Sequence, residues 1–257
     1  MQHAGKLLCL ALLAPPVHPQ TVIADVLPFP EEHKFCFVLL DLAKNHYTRN
    51  DQARCAERLS PWSIFKIPNS LISLELGIVQ DTNQVTKWDG VVRERPEWNS
   101  DQTLASAFSV SAVWYYQRLA RETGEKRMRD YLQRIHYGNE DISGGIDRFW
   151  LDSSLRISAD EQVDFLRRLL QRQLPFSART VDLVQQIMVV SRTGDTMLRG
   201  KTGFGGPAGD RLNWFVGYLE RSGNRYIFAT NVEGRVVDDP QTARRITEAH
   251  LRQLNLL

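Results

Sequence analysis

The chain predicts a mixed α/β fold of the α+β type: a central antiparallel sheet built from both chain termini, packed by a mainly helical region between them. Three observations carry that expectation. Strand-like residues stand early, at 35–41 and from Tyr47 onward, around a turn near Asn45-His46. A second set fills the last third, at 197–202, 212–220 and 225–232, with Arg221-Ser222-Gly223-Asn224 as a turn. The stretch between them carries apolar residues at helical spacing and several helix caps.

The elements follow in chain order. Lys6 precedes the short apolar run Leu7-Leu8-Cys9-Leu10-Ala11-Leu12-Leu13-Ala14, which Pro15 and Pro16 end. That pattern reads as an export signal over residues 1–24, cleaved between Ala14 and Asp25. The run is far shorter than the ~20 residues that span a bilayer. Residues 25–257 are then one domain, large enough for a sizeable core. A two-residue turn at Asn45-His46 pairs Lys44 with Tyr47, and counting outward sets Cys36 opposite Cys55. An exported chain can oxidise such a pair, so Cys36 and Cys55 are a candidate disulfide; two buried thiols are the alternative.

A helix is expected from about Ser63 to Gly77, with Leu71, Leu74 and Ile78 on one face. Pro68 lacks an amide hydrogen and belongs in a first turn, which pins the start near Ser63. Further helices are expected over 111–121, ending before Gly124, and over 125–136, ending before Gly138. Ser158-Ala159-Asp160-Glu161 is a capping box ahead of Val163, Phe165, Leu166 and Leu169. Ser177 caps another helix reaching Val190, separated from its predecessor by Pro175. Residues 240–254 read as a closing amphipathic helix.

Composition narrows the partners. The formal net charge is +2 over 257 residues, with basic and acidic side chains interspersed. That gives no reason to propose nucleic acid. No later stretch is apolar enough for stable membrane insertion, so a soluble mature chain is expected. The six histidines have no metal-like spacing, and no metal is expected. Gly203-Phe204-Gly205-Gly206 resembles a phosphate loop but sits between strands rather than before a helix.

The chemistry lies in three words: Ser63-Ile64-Phe65-Lys66, Ser111-Ala112-Val113 and Lys201-Thr202-Gly203. A serine hydroxyl needs a base to become a nucleophile, and a lysine three residues on along a helix shares its face. A helix start also offers unpaired amide hydrogens to an oxyanion. Ser-x-x-Lys alone is most often a cap beside a surface lysine. In this order with the other two words, it suits an acyl-enzyme formed from a cyclic amide that bears a carboxylate.

The run Ser63-Ile64-Phe65-Lys66-Ile67-Pro68-Asn69-Ser70 resembles the active-site helix of class D β-lactamases, the oxacillinases. Ser111-Ala112-Val113, Tyr137-Gly138-Asn139, Phe149-Trp150-Leu151 and Lys201-Thr202-Gly203 match further motifs of that family, from about residue 30 to the C-terminus. The resemblance implies a serine β-lactamase/transpeptidase-like fold and hydrolysis of penicillin-type substrates. It implies Ser63 as nucleophile and Lys66, carboxylated by carbon dioxide or bicarbonate, as general base. Trp150 would donate to that carbamate, and Ser111 would pass a proton to the leaving nitrogen. Val113, where related serine enzymes carry asparagine, would keep the surroundings of Lys66 dry. Lys201, Thr202 and Gly203 would line the substrate, and the Phe204 amide would join that of Ser63 as oxyanion donor. Arg244 would clamp the substrate carboxylate, with Arg245 as second choice. Tyr137 and Asn139 would brace the site.

The resemblance further implies no bound metal or organic cofactor, a periplasmic or secreted location, and a monomer or homodimer. Two departures flank the nucleophile: Ile64 replaces a usual threonine and Trp62 a usual small residue. The alternative function is a β-lactam-sensing or penicillin-binding domain that acylates without turnover. Val113 argues against a transpeptidase.

Overall fold

The computed structural model of the chain describes residues 20–23, 34–151, 153–208, 210–234 and 239–257. The anticipated leader lies outside them except at 20–23, which include strand β1 (Gln20–Val22). The other strands are β2 (Lys34–Asp41), β3 (His46–Arg49), β4 (Val189–Thr193), β5 (Thr196–Gly205), β6 (Arg211–Arg221) and β7 (Asn224–Gly234). Among the described residues they form one seven-stranded sheet ordered β1-β3-β2-β7-β6-β5-β4. It is antiparallel as expected, apart from the β1–β3 pair, which is parallel. The first long strand docks on the last, with Cys36 opposite Asn231 and Leu40 opposite Ile227.

Both faces of this sheet are covered. Phe35, Phe37 and Leu39 of β2 share one core with Phe215, Phe228 and Ile246. Ile246 belongs to α8 (Thr242–Gln253), the closing helix. Cys36, Val38 and Leu40 face the larger core under the helical region. Burial on both sides explains why 35–40 is uniformly apolar rather than alternating.

The early hairpin corrects the expected register. Asp41 pairs with His46, so the turn is Leu42-Ala43-Lys44-Asn45 and not a two-residue loop. The Asp41 carboxylate accepts from the Lys44 amide at 3.1 Å and from Asn224 Nδ2 at 2.8 Å, which fixes this longer turn. Cys55 therefore does not lie across from Cys36 on a strand. It sits in α1 (Gln52–Ala56), a helix not anticipated, capped by Asp51. Cys36 and Cys55 are nonetheless bonded, with Cα atoms 5.0 Å apart, and the bridge ties this helix to β2.

The helical region holds α2 (Lys66–Glu75), α3 (Leu104–Ser109), α4 (Val113–Thr123), α5 (Glu125–Arg134), α6 (Ala159–Leu170) and α7 (Ala178–Ile187). The Ser158–Glu161 capping box and the Ser177 cap form as expected. Ser63 departs from expectation: it lies in a 3-10 turn, Trp62–Phe65, and the α-helix begins at Lys66. Pro68 is still within the first turn, where its missing amide costs nothing. Ser111 does not open a helix either. It has φ +59° in the corner between α3 and α4, a conformation that a straight helix from 111 would not allow. The helix from Ser177 stops at Ile187 instead of Val190, because Val189 leaves it to pair with Arg199. No helix among the described residues is long and apolar enough to cross a membrane.

The Cys36–Cys55 bridge closes a loop of separation 19. Reduction, or Cys36→Ser with Cys55→Ser, is expected to lower unfolding stability by about 3 kcal/mol. Urea unfolding of oxidised and variant protein measures it.

Candidate active site

The nucleophile turn is held from several directions. Trp214 Nε1 donates to the Ser60 carbonyl at 2.9 Å, and the Trp62 amide donates to the Trp150 carbonyl at 3.0 Å. Trp62 takes φ +49°, an uncommon conformation for a bulky residue. Strand β5 lies directly against this turn: a Cβ on Gly203 would stand 3.0 Å from the Pro61 carbonyl oxygen. Glycine in the Lys-Thr-Gly word thus permits the approach that brings β5 to Ser63.

Lys66 points back along its helix, and its Nζ donates to Ser63 Oγ at 2.7 Å. The side chain is wholly buried. Burial pushes the Lys66 amine well below the usual lysine range, and the charges of Lys201 and Arg95 push the same way. Desolvation penalises the ammonium and so favours the neutral amine. The Lys66 Nζ also stands 5.2 Å from the ring centre of Tyr116. Tyr116 is tied to the same helix, because Ser70 Oγ lies 3.0 Å from its hydroxyl and donates to the Lys66 carbonyl at 2.7 Å. Val113 opens α4 and is half-buried; Tyr116, three residues on, is the aromatic neighbour of the amine.

The second serine joins through the α3–α4 corner. The Ser111 amide donates to the Phe108 carbonyl at 3.3 Å, and the Phe108 ring lies 5.6 Å from Lys201 Nζ. Lys201 is nearly buried, and desolvation first, then Arg95, lowers its amine to about 7. Its Nζ donates to the Thr202 carbonyl at 3.0 Å. Arg95 itself stacks on Trp98 at 5.2 Å, and Trp98 Nε1 donates to the Val110 carbonyl at 2.9 Å, next to Ser111. Sequence reasoning missed Arg95 and Tyr116. The three-residue step from Val113 signalled Tyr116, and nothing local signalled Arg95.

Trp150 is completely buried and stacks on Phe65 at 5.3 Å. Its Nε1 is buried without a hydrogen-bond partner among the described residues. The buried indole donor is thus left open in an aromatic cluster at Phe65, the residue that precedes Lys66. Tyr137 meets Phe65 as well, ring to ring at 5.8 Å. Tyr137 donates to Gln162 Oε1 at 3.0 Å, and Asn139 Nδ2 donates to the Ser154 carbonyl at 2.8 Å. Gly138 has φ +59°, and a Cβ there would meet the Arg156 carbonyl oxygen at 2.0 Å.

Lys201 and Thr202 line a cleft of about 290 Å³ together with Gly200, Ser109, Gln241 and Arg244. Arg244 donates from Nε to Glu248 at 2.8 Å and still reaches this cleft. Arg245 turns instead to Asp239 and to Thr242 Oγ1. The half-buried Phe204 follows Gly203 on the strand and carries the Arg211 guanidinium over its ring at 5.3 Å. Of the two departures, Ile64 is buried against Gly203, while Trp62 stays half-exposed.

Residues 38–252 match the family described as penicillin binding protein transpeptidase domain, which sets the class as a serine acyl-transfer domain. The chain is 43% identical over 221 residues to the probable β-lactamase YbxI of Bacillus subtilis (strain 168), covering 86% of this chain and 81% of that one. It is 41% identical over 228 residues to β-lactamase OXA-48 of Klebsiella pneumoniae, covering 88% and 86%. The crystal structure of the class D β-lactamase YbXI from Nostoc superposes with a TM-score of 0.85 at 41% identity, covering 88% of this chain and 95% of that one. The chain belongs to the class D β-lactamases, and its fold is the serine β-lactamase/transpeptidase-like fold expected of them.

Burying a lysine completely, as Lys66 is, costs stability. Lys66→Met is expected to abolish turnover while raising the melting temperature by roughly 2–4 °C, about 1 kcal/mol for a chain of this size. Calorimetry beside a hydrolysis assay reads both.

Proposed function

We propose that the chain is a serine β-lactamase that opens the β-lactam ring of penicillin-type antibiotics through an acyl-enzyme on Ser63. The observation that carries this is the 2.7 Å contact between Ser63 Oγ and a wholly buried Lys66 whose amine is pushed toward neutrality. Ser63 attacks the lactam carbonyl and gives up its hydroxyl proton on the Lys66 side. The amides of Ser63 and Phe204 hold the oxyanion. Ser111 passes a proton to the ring nitrogen as the C–N bond breaks. Lys201, Thr202 and Arg244 hold the carboxylate, the arginine as a planar fork. Water then attacks the ester, a proton returns to Ser63 Oγ, and a ring-opened β-amino acid leaves.

Carbon dioxide added to the neutral Lys66 amine would supply a carbamate as general base for both halves of this cycle. The unpartnered Trp150 Nε1 supports that reading as its donor. No metal or organic cofactor enters it. The chain is exported to the periplasm or beyond, a reading that the Cys36–Cys55 bridge supports. The leader is cleaved between Ala14 and Asp25. The chain acts as a monomer or homodimer.

Purified mature chain is expected to turn over a penicillin many times, faster with added bicarbonate. One equivalent of stable acyl-enzyme in both conditions would instead mark a sensor or penicillin binder. Trp150→Phe keeps an aromatic ring in the core and removes the indole donor. It is expected to cut the deacylation rate at least ten-fold and to raise the bicarbonate concentration needed for half-maximal rate.

The Lys201 amine, lowered to about 7, is charged below that pH and neutral above it. The attraction for the substrate carboxylate is therefore present in acid and fades as pH rises through 7. The kcat/KM profile is expected to bend downward there, and the bend should vanish in Lys201→Arg, whose charge persists.

A further inference from the structure

Trp62 is the residue beside the nucleophile that the chemistry above does not use. Its backbone is left-handed at φ +49°, its amide is held by the Trp150 carbonyl at 3.0 Å, and its indole is half-buried. The indole rests on β5 at Gly205. A Cβ on Gly205 would stand 2.2 Å from Trp62 Cδ2 and 2.4 Å from Cε2, so glycine is the residue that admits the ring. The ring thus fills space at the far end of β5, past Phe204, beside the nucleophile turn.

The direction of a bound substrate then decides what the ring meets. The carboxylate end belongs with Lys201, Thr202 and Arg244, which line one cleft. The reacting carbonyl belongs at Ser63, between the Ser63 and Phe204 amides. In a penicillin the carboxylate and the acylamino group leave the bicyclic nucleus on opposite sides of the lactam carbonyl. An acyl side chain therefore runs along β5 from Phe204 toward Gly205, where the indole stands.

We propose that Trp62 is a specificity wall: it blocks bulky, ring-bearing acyl side chains and makes the enzyme selective for β-lactams with compact ones. The inference rests on the β-lactamase reading and names the half of the substrate that this chain discriminates. Trp62 acts here by occupying volume, and the hydrogen bond of its amide is independent of the side chain.

The test compares second-order acylation rates with oxacillin, which carries a bulky aryl-isoxazole acyl group, and 6-aminopenicillanic acid, which carries none. Acylation is followed by stopped flow and intact mass, so it reads the preference whether or not the ester is hydrolysed. Trp62→Gly suits the left-handed backbone. It is expected to raise the oxacillin to 6-aminopenicillanic acid rate ratio at least five-fold. Gly205→Ala puts a methyl where the indole is seated and so displaces the ring; displaced toward the acyl group it is expected to lower the same ratio at least five-fold, and it decides the matter if Trp62→Gly does not fold. An unchanged ratio, or both variants moving it the same way, overturns the wall. Preference shifted as expected in an enzyme that acylates but never turns over would keep the wall and reject the hydrolase. Failure of wild-type protein to be acylated by either compound would reject both.

Discussion

The burial of one lysine against one serine is the constraint around which the site is built. Lys66 has no exposed surface, and its nitrogen lies 2.7 Å from Ser63 Oγ. An isolated ammonium in such a place is costly, so burial shifts the group toward its neutral amine. A neutral amine is the form that the proposed chemistry at Ser63 and with carbon dioxide requires. The ring centre of Tyr116 lies 5.2 Å from the amine, and the buried rings of Phe149 and Trp150 pack on one another and on Phe65, the residue before Lys66. Two further cations, Lys201 and Arg95, push in the same direction. The Lys201 charge proposed to attract the substrate carboxylate thus also discourages charge on Lys66.

The scaffold serves this arrangement by bringing distant segments to one edge of the sheet. The nucleophile turn precedes α2, the second serine sits in a helix corner, and Lys-Thr-Gly lies on β5 well over a hundred residues later. Close approach is bought with unusual backbone. Gly203 admits the Pro61 carbonyl, Gly205 admits the Trp62 indole, and Trp62 and Ser111 both adopt left-handed conformations. Non-glycine residues in that region cost free energy, on the order of 1–3 kcal/mol each, and persist only where surrounding contacts fix them. One of the two precedes Ser63 directly, and the other is Ser111 itself.

Much of this was legible in the sequence because it rests on local rules. The Ser158 and Ser177 caps, the Ser222-Gly223 turn and the period of the last three strands all depend on neighbours within a few residues. The three chemical words and their order identified the serine, the lysine and the strand that meets them. Errors came where a tertiary partner overrode the local reading. The hairpin took a four-residue turn because Asn224, from the far end of the chain, bonds Asp41. The disulfide formed between the right cysteines on the wrong geometry, because an unanticipated helix carries Cys55. Val189 left its helix because Arg199 offered a strand to pair with.

The sequence by itself determined which atoms are available for chemistry and that strands from both ends must share one sheet. Only the tertiary structure decided their states. Whether Lys66 is charged depends on what surrounds it, and that shell comes from several separate segments. Arg244 and Arg245 are identical in composition and adjacent in sequence, yet one lines the cleft with Lys201 and the other is held by Asp239. Trp62 reads as a mere enlargement beside the nucleophile until Gly205 is found beneath it. Desolvation, field and excluded volume are properties of neighbours in space, and no local pattern of residues encodes which neighbours those will be.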